Sequence, residues 1–315
     1  MIEIGIGETR AVLVEGARIV EARIELEGVV PAGTVIMARL VNGGQAGRNA
    51  VARDEAGQEY LLPQAPKGIS QGGALSIEVT RAAFPGVEPW KRPMARWTNS
   101  PAFPAPSLAE RLAGETIAFP APHDPLEQAG WSDLIEEARS GTVAFAGGTL
   151  RISPTPAMTL IDVDGALSPE ELAPRGASAA ASAIRRLAIG GSIGIDLPTV
   201  RNKAARLAQD AAIDAVLPRP FERTGVNGFG FVQIVRPRTG PSLVELAQDR
   251  PGFEARVLLR RAARSTGAIR FAAHPAVIER VTPEWLDRLA RQVGGTVALR
   301  GDPALAMSGG HVEPA

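Results

Sequence analysis

The strongest chemical signal in this chain of 315 residues is a set of three aspartates. Two short apolar runs, 158–161 and 192–195, each end in one: Asp162 after the first and Asp196 after the second. Asp164 follows two residues beyond Asp162, and side chains two apart on a strand share a face, so the two can serve one site. Magnesium takes hard oxygen ligands and keeps several waters, so one or two protein carboxylates suffice to hold it. An ion held there can activate a water and stabilise charge developing on a phosphate. Arg201, Arg206, Arg223, Arg236 and Arg238 lie nearby in sequence and are candidates for holding a phosphate backbone. Two plainer readings stand beside this one. Strand-end carboxylates also act as caps, and any single arginine more often belongs to a solvated basic face. Paired aspartates after apolar strands also occur in phosphatases, kinases and response regulators.

Other chemistries lack an anchor. There is no P-loop, no G-x-S-x-G, no H-E-x-x-H and no dinucleotide fingerprint. His123, His274 and His311 are scattered without metal-ligand spacing, and His274 reads as a capping or loop residue. The chain has no cysteine, which excludes disulfides, thiolate zinc sites and cysteine nucleophiles and fits a cytoplasmic protein. No run approaches the length of a membrane span, and the start, MIEIGIGETR, does not read as a signal peptide. Net charge is zero, so no global field draws in nucleic acid. Arginines outnumber acids downstream of Asp196, whereas acids dominate 100–141.

The elements that position these residues can be read in order. Alternating apolar residues over 2–27, with a turn at Glu15-Gly16, predict a hairpin or three-strand meander. Short apolar runs between Gly-rich breaks over 28–98 predict a small β-barrel. Its tail, Trp90 to Trp97, interleaves cations and tryptophans, a mix suited equally to base stacking or to a solvated loop. A proline-rich connection follows. It holds a short helix from Ser107, with Glu110 completing a capping box, and a second helix from Ser132 to Arg139 capped by that serine. Strands at 142–145, 149–152, 158–163, 192–196 and 227–235 alternate with helices at 177–187 and 199–212, predicting an α/β or α+β layer. The last unit holds an arginine-rich helix at 253–265, strands at 268–272 and 296–300, and a frayed end.

Three blocks then carry a specific likeness. GGTLRISPTPAMTLIDVDGA, LAIGGSIGIDL and RTGVNGFGFVQIVRPRTGPSL resemble, in order and spacing, the catalytic-domain signatures of the ribonuclease E/G family. GETRAVLVEGARIVEARIELE resembles the family's opening, and FAAHPAVIERV a run in its small C-terminal domain. The resemblance implies an α+β multidomain fold: a reduced scaffold at 1–30 and 99–141, an S1-like (OB-type) barrel at 31–98, a nuclease domain at 142–245 and a small domain at 246–315. It implies magnesium-dependent cutting of single-stranded RNA that leaves a 5′-phosphate downstream, with manganese as a possible substitute. Asp162 and Asp196 match the family's metal-binding aspartates, and Asp164 its assisting asparagine. Tyr60 falls where the barrel places a base-contacting aromatic, and Lys91 at its late lysine. Gly228 stands in place of an arginine and Gln233 in place of a glutamate. The Cys-Pro-x-Cys zinc link is absent, so no zinc is expected and any homo-oligomer forms by another route. The 98–141 segment is too short for the domain that senses a 5′-monophosphate. A catalytically weakened or inactive RNA-binding protein on the same fold is the alternative.

Overall fold

The computed structural model describes residues 1–44, 48–64, 66–84, 91–112, 114–120 and 123–315. Among these, the chain forms a mixed α+β assembly of a closed barrel and three sheets. Gln45 to Gly47, in the expected Gly-rich turn, and Trp90 lie outside the described residues.

Strands β1 (Ile2–Ile4), β2 (Glu8–Glu15) and β3 (Arg18–Leu26) form the expected antiparallel meander. Gly16 and Ala17, at φ of 56° and 63°, close the β2–β3 hairpin with both turn residues left-handed, the twist that matches paired strands. The barrel follows: β4 (Val35–Asn42), β5 (Ala50–Asp54), β6 (Glu59–Leu62), β7 (Ala74–Arg81) and β8 (Met94–Thr98), closed in the order β4-β5-β6-β8-β7. Alternate residues point inward and build its core, with Leu40, Tyr60, Leu62, Ile77 and Val79 at the centre.

In the connection, α1 (Leu108–Leu112) carries the expected capping box, the Glu110 N–H donating to Ser107 Oγ and the Ser107 N–H to Glu110 Oε2. A short helix α2 (Pro125–Gln128) was not foreseen, and α3 (Trp131–Ser140) begins after Gly130 rather than at a serine cap. Ser132 lies inside α3, its hydroxyl donating to Glu127. The buried Trp131 side chain sets the start of this helix one residue earlier than polar capping logic suggests.

The central sheet has six strands in the order β13-β14-β12-β11-β10-β9. These are β9 (Thr142–Phe145), β10 (Gly148–Pro154), β11 (Thr159–Gly165), β12 (Gly191–Asp196), β13 (Glu222–Arg223) and β14 (Phe231–Arg236). One face is apolar, with Leu150, Ile161, Ile193, Ile195, Val232 and Ile234 all fully buried. Burying each such side chain contributes about 1.5–3 kcal/mol. Helix α4 (Pro169–Arg186) covers this face through Ala173, Ala177, Ala180, Ala181 and Ile184. It starts eight residues before the expected 177–187, because Pro174 reads as a breaker. Burial of Leu172, Ala173 and Gly176 holds the turns around Pro174 in place. Helix α5 (Lys203–Val216) packs on α4 and is displaced from the expected 199–212. Asn202, not Thr199, caps it, accepting from the Ala204 N–H at 2.8 Å. Val12, Ile19 and Ala22 of the meander and Leu134 and Ile135 of α3 belong to this same core.

The last unit comprises α6 (Leu243–Leu246), α7 (Arg250–Ala262), β15 (Ile269–Ala273), α8 (Pro275–Ile278), α9 (Pro283–Val293), β16 (Val297–Gly301) and β17 (His311–Pro314). The end of the chain is not frayed: β17 pairs antiparallel with β15 from Ala272↔His311 to Ile269↔Pro314. His274 caps α8, its Nδ1 accepting from the Ala276 N–H at 3.2 Å.

A buried ionic lattice joins the two ends of the chain. Arg10 donates to Glu8 and Glu3, both at 2.7 Å, from a wholly buried position. Arg260 on α7 makes a bidentate pair with Glu3 at 2.8 and 2.9 Å and another with Asp124 at 3.0 and 2.7 Å. Arg256 reaches Glu8 at 3.1 Å. The Arg10 and Arg260 guanidinium groups both lie over the Trp131 ring. Glu8 and Arg10 come from the E-T-R run of the opening segment.

Candidate functional site

The sheet face turned away from α4 carries the aspartates. Along β11, burial alternates: Ile161 and Val163 point to the core, Leu160, Asp162 and Asp164 to solvent. Strand β12 runs parallel to β11, with Asp162 the register partner of Asp196. Neighbouring strands lie about 5 Å apart, so the two carboxylates emerge side by side from one face. Both are exposed, and neither has a hydrogen bond or ion pair with a described residue. Like charges directly opposite one another on a sheet are unfavourable. Two adjacent carboxylates that make no ion pair with a described residue are a donor set that a hard dication satisfies, and in that sense these residues fit magnesium or manganese.

Asp164 does not complete a triad. No group of three or more acidic or imidazole side chains among the described residues converges enough to hold a metal. Asp164 sits one pleat further along β11, and its Oδ1 accepts from the Gly165 N–H at 2.9 Å. It lines an open depression of about 610 Å³ together with Thr149, Arg151 and Ser153.

The basic candidates divide. Arg201 is exposed in the connection between Asp196 and α5. Arg206 supports that connection, its Nη1 donating to the Val200 and Arg201 carbonyls at 3.2 and 2.9 Å. Arg223 turns towards α5 and pairs with Asp210 and Asp214, which removes it from the phosphate-holding set. Arg236 and Arg238 are misplaced by the sequence reading as well. Strand β14 runs antiparallel to β12, so Phe231 pairs with Asp196 while Arg236 pairs with Gly191. Arg236 therefore lies about 17 Å from Asp196, at the opposite end of the sheet.

On the barrel, Tyr60 is corrected too. It is 1% exposed and packs in the barrel core, its hydroxyl donating to Asp54 Oδ2 at 3.1 Å. Burial, then the Asp54 charge, pushes the phenol well above its usual range. Its ring is not presented to a base. Among the described residues of the barrel strands, Trp97, 41% exposed on β8, is the aromatic shown to solvent. Lys91 lies half-buried in the connection before β8.

Three residues at the site were missed. Arg151 on β10 is the register partner of Asp162 and is exposed. The signal was available: antiparallel pairing across the short 155–158 loop fixes it. Phe231 is the register partner of Asp196, and its ring lies over Gly194, where a Cβ would come within 2.6 Å of it. Phe229 is 83% exposed in the loop before β14. That loop is held firmly. Asn227 Oδ1 accepts from the Phe229 and Phe231 N–H groups at 2.9 and 3.1 Å, and Thr199 Oγ1 donates to the Phe229 carbonyl at 3.0 Å. The Leu197 N–H donates to the Gly230 carbonyl at 3.1 Å, tying this loop to the residue after Asp196. Gln233 donates from Nε2 to Ser192 Oγ at 3.2 Å, and Gly228 faces open space. Among the described residues no helix is long and apolar enough to cross a membrane.

No protein-family model matches this chain, and no curated protein matches it.

Proposed function

We propose that the protein is a metal-dependent endoribonuclease acting on single-stranded RNA, as the resemblance to the ribonuclease E/G family implies. The observation that carries this reading is the in-register, unpaired placement of Asp162 and Asp196 on the open face of the central sheet. Asp162 and Asp196 would hold a magnesium or manganese ion, which would supply water activation and charge stabilisation at a phosphate. Arg151, in register with Asp162, and Arg201, in the connection that follows Asp196, hold non-bridging phosphate oxygens. Phe229, fixed and exposed, offers a ring face to a neighbouring base. Asp164 keeps one carboxylate oxygen on the Gly165 N–H and has the other available to accept a proton. In the hydrolysis, a water oxygen bonds to phosphorus and the bond from phosphorus to the 3′-oxygen breaks. The 3′-oxygen takes up a proton, which leaves a 3′-hydroxyl upstream and a 5′-phosphate downstream. The barrel, read as S1-like, presents Trp97 to the strand.

A 5′-labelled AU-rich single strand, incubated with and without magnesium, tests the proposal. Cutting that requires the ion is expected, with a phosphate on the 5′ end of the downstream product. The second reading, an RNA-binding protein that does not cut, is favoured by the engagement of Asp164 with its own backbone neighbour. Binding without cutting by the unaltered protein would select it.

The exposed aromatics of the barrel and of the loop before β14 supply a separate prediction. Trp97→Ala and Phe229→Ala should each weaken binding of a single-stranded oligonucleotide by about 1–3 kcal/mol, the usual worth of one stacked base. Tyr60→Phe should leave binding unchanged and cost about 1 kcal/mol of stability through the lost Asp54 hydrogen bond. Fluorescence anisotropy and denaturant unfolding separate the two. A binding defect in Tyr60→Phe equal to that in Trp97→Ala would refute this assignment.

A further inference from the structure

A cavity of about 360 Å³ opens at the end of the central sheet away from the aspartates, where the β2–β3 hairpin, the end of β7 and the segment after β14 meet. Its walls are mixed. Ile24, Leu26, Leu108 and Ile189 give it an apolar side, and Arg236 and Arg238 line the other. Ala188, on the rim, holds a left-handed backbone at φ 57°, a conformation costly for a residue with a Cβ.

The charges around this cavity do not balance. Arg23 pairs with Glu21, Arg111 with Glu25, and Arg238 with Glu245. Two cations are left without a carboxylate among the described residues. Arg236 donates only to the Ile189 carbonyl at 3.1 Å, and Arg81, just behind the wall, only to the Arg92 carbonyl at 2.9 Å. The Nε atoms of Arg81, Arg236 and Arg238 are all buried without a hydrogen-bond partner. Buried guanidinium donors in native proteins are normally satisfied. Burial holds both Arg81 and Arg236 below the usual guanidinium range, and the charges of Arg238 and Arg23, respectively, lower them further, with Glu245 and Glu21 opposing in part.

We propose that this cavity binds a small organic phosphate, its phosphate against Arg236 and Arg238 and its apolar body against Ile24, Leu26, Leu108 and Ile189. A phosphate monoester carries close to two negative charges and three strong acceptor oxygens, which suits the unpaired charge of Arg236 and the unsatisfied guanidinium groups of Arg236 and Arg238 that line the cavity. The volume lies at the small end of ligand cavities, so the ligand is of the size of one nucleoside monophosphate rather than an oligonucleotide. The site lies at the opposite end of β12 and β14 from Asp196 and does not depend on the cleavage proposal.

The test is isothermal titration of the full chain with adenosine 5′-monophosphate, adenosine and inorganic phosphate. Adenosine monophosphate should bind in the micromolar range, and the other two at least tenfold more weakly. Arg236→Gln should weaken binding at least tenfold without lowering the unfolding midpoint, because it removes a cation that lacks a counter-ion. Leu112→Trp should block the cavity while sparing the fold, since Leu112 lines the cavity and is 48% exposed. Absence of binding at millimolar ligand overturns the proposal, as does binding that both variants leave unchanged. Inorganic phosphate binding as tightly as the nucleotide also overturns it, because the apolar wall would then contribute nothing.

Discussion

Replacing Arg260 by methionine should lower the stability of the protein by about 3–5 kcal/mol, the usual cost of removing one partner from a buried ionic group. Arg260 holds Glu3 and Asp124 by two bidentate pairs, and Glu3 is 1% exposed. Methionine fills much of the volume but leaves two carboxylates short of their donors. Arg10 still reaches Glu3 and Arg264 still reaches Asp124, so the loss is partial rather than complete. Denaturant unfolding reads the difference, and a loss below about 1 kcal/mol would contradict the assignment. The same pair sets a pH dependence. Burial pushes Asp124 up, but hydrogen bonds from Arg260 and the Glu127 N–H, with the charges of Arg260 and Arg264, outweigh it and hold Asp124 below its ordinary value. A carboxylate depressed in the folded state stabilises fully above its unfolded pKa, about 4, and loses that contribution as pH falls through the lower folded value. The wild type should therefore lose stability below about pH 4, and Arg260→Met should lose less over the same interval.

Asp162→Asn and Asp196→Asn should each reduce magnesium-dependent cutting by about a thousandfold or more, equivalent to roughly 4 kcal/mol of transition-state stabilisation. The fold should not suffer. Both side chains are exposed; Asp196→Asn removes one of two like charges in register and should keep stability constant or raise it by about 0.2–1 kcal/mol, while Asp162→Asn also loses its cross-strand neighbour Arg151 and should change it by less than about 0.5 kcal/mol. That contrast separates loss of chemistry from loss of structure. Magnesium should raise the melting temperature of the wild type and leave the double variant unmoved. Cutting that survives both substitutions would end the nuclease proposal.

The sheet and barrel were legible because their signal is the alternation itself. T-L-I-D-V-D-G shows its two faces in the sequence, and the short runs of 28–98 announce a small barrel. What stayed hidden depends on parity, direction and backbone pairing. Tyr60 was assigned outward, yet in β6 it is Glu59 and Leu61 that face out, and one residue of parity decides the matter. Arg236 and Arg238 lie close to the F-G-F motif in sequence, but an antiparallel β14 carries them to the far end of the sheet. The strand at 311–314 lacks any apolar alternation, since its place is fixed by backbone hydrogen bonds to β15. Arg223 looked free because nothing in its own neighbourhood in the chain announces Asp210 and Asp214 on α5.

The parallel pairing of β11 with β12 has a further consequence. Every other neighbouring pair among the described strands of the central sheet is antiparallel. Only parallel partners bring two carboxyl termini out at the same edge, and parallel partners require a long return path between them. Here that path contains α4, whose 18 residues span about 27 Å, enough to carry the chain back along the seven residues of β11, about 23 Å. Exchanging α4 for a tight turn would leave the composition of both strands intact but send Asp196 to the opposite rim. The spacing of the acidic pair is thus a property of connectivity. A helix that touches neither aspartate sets their proximity through its length alone, and drift in its surface sequence leaves that proximity unchanged.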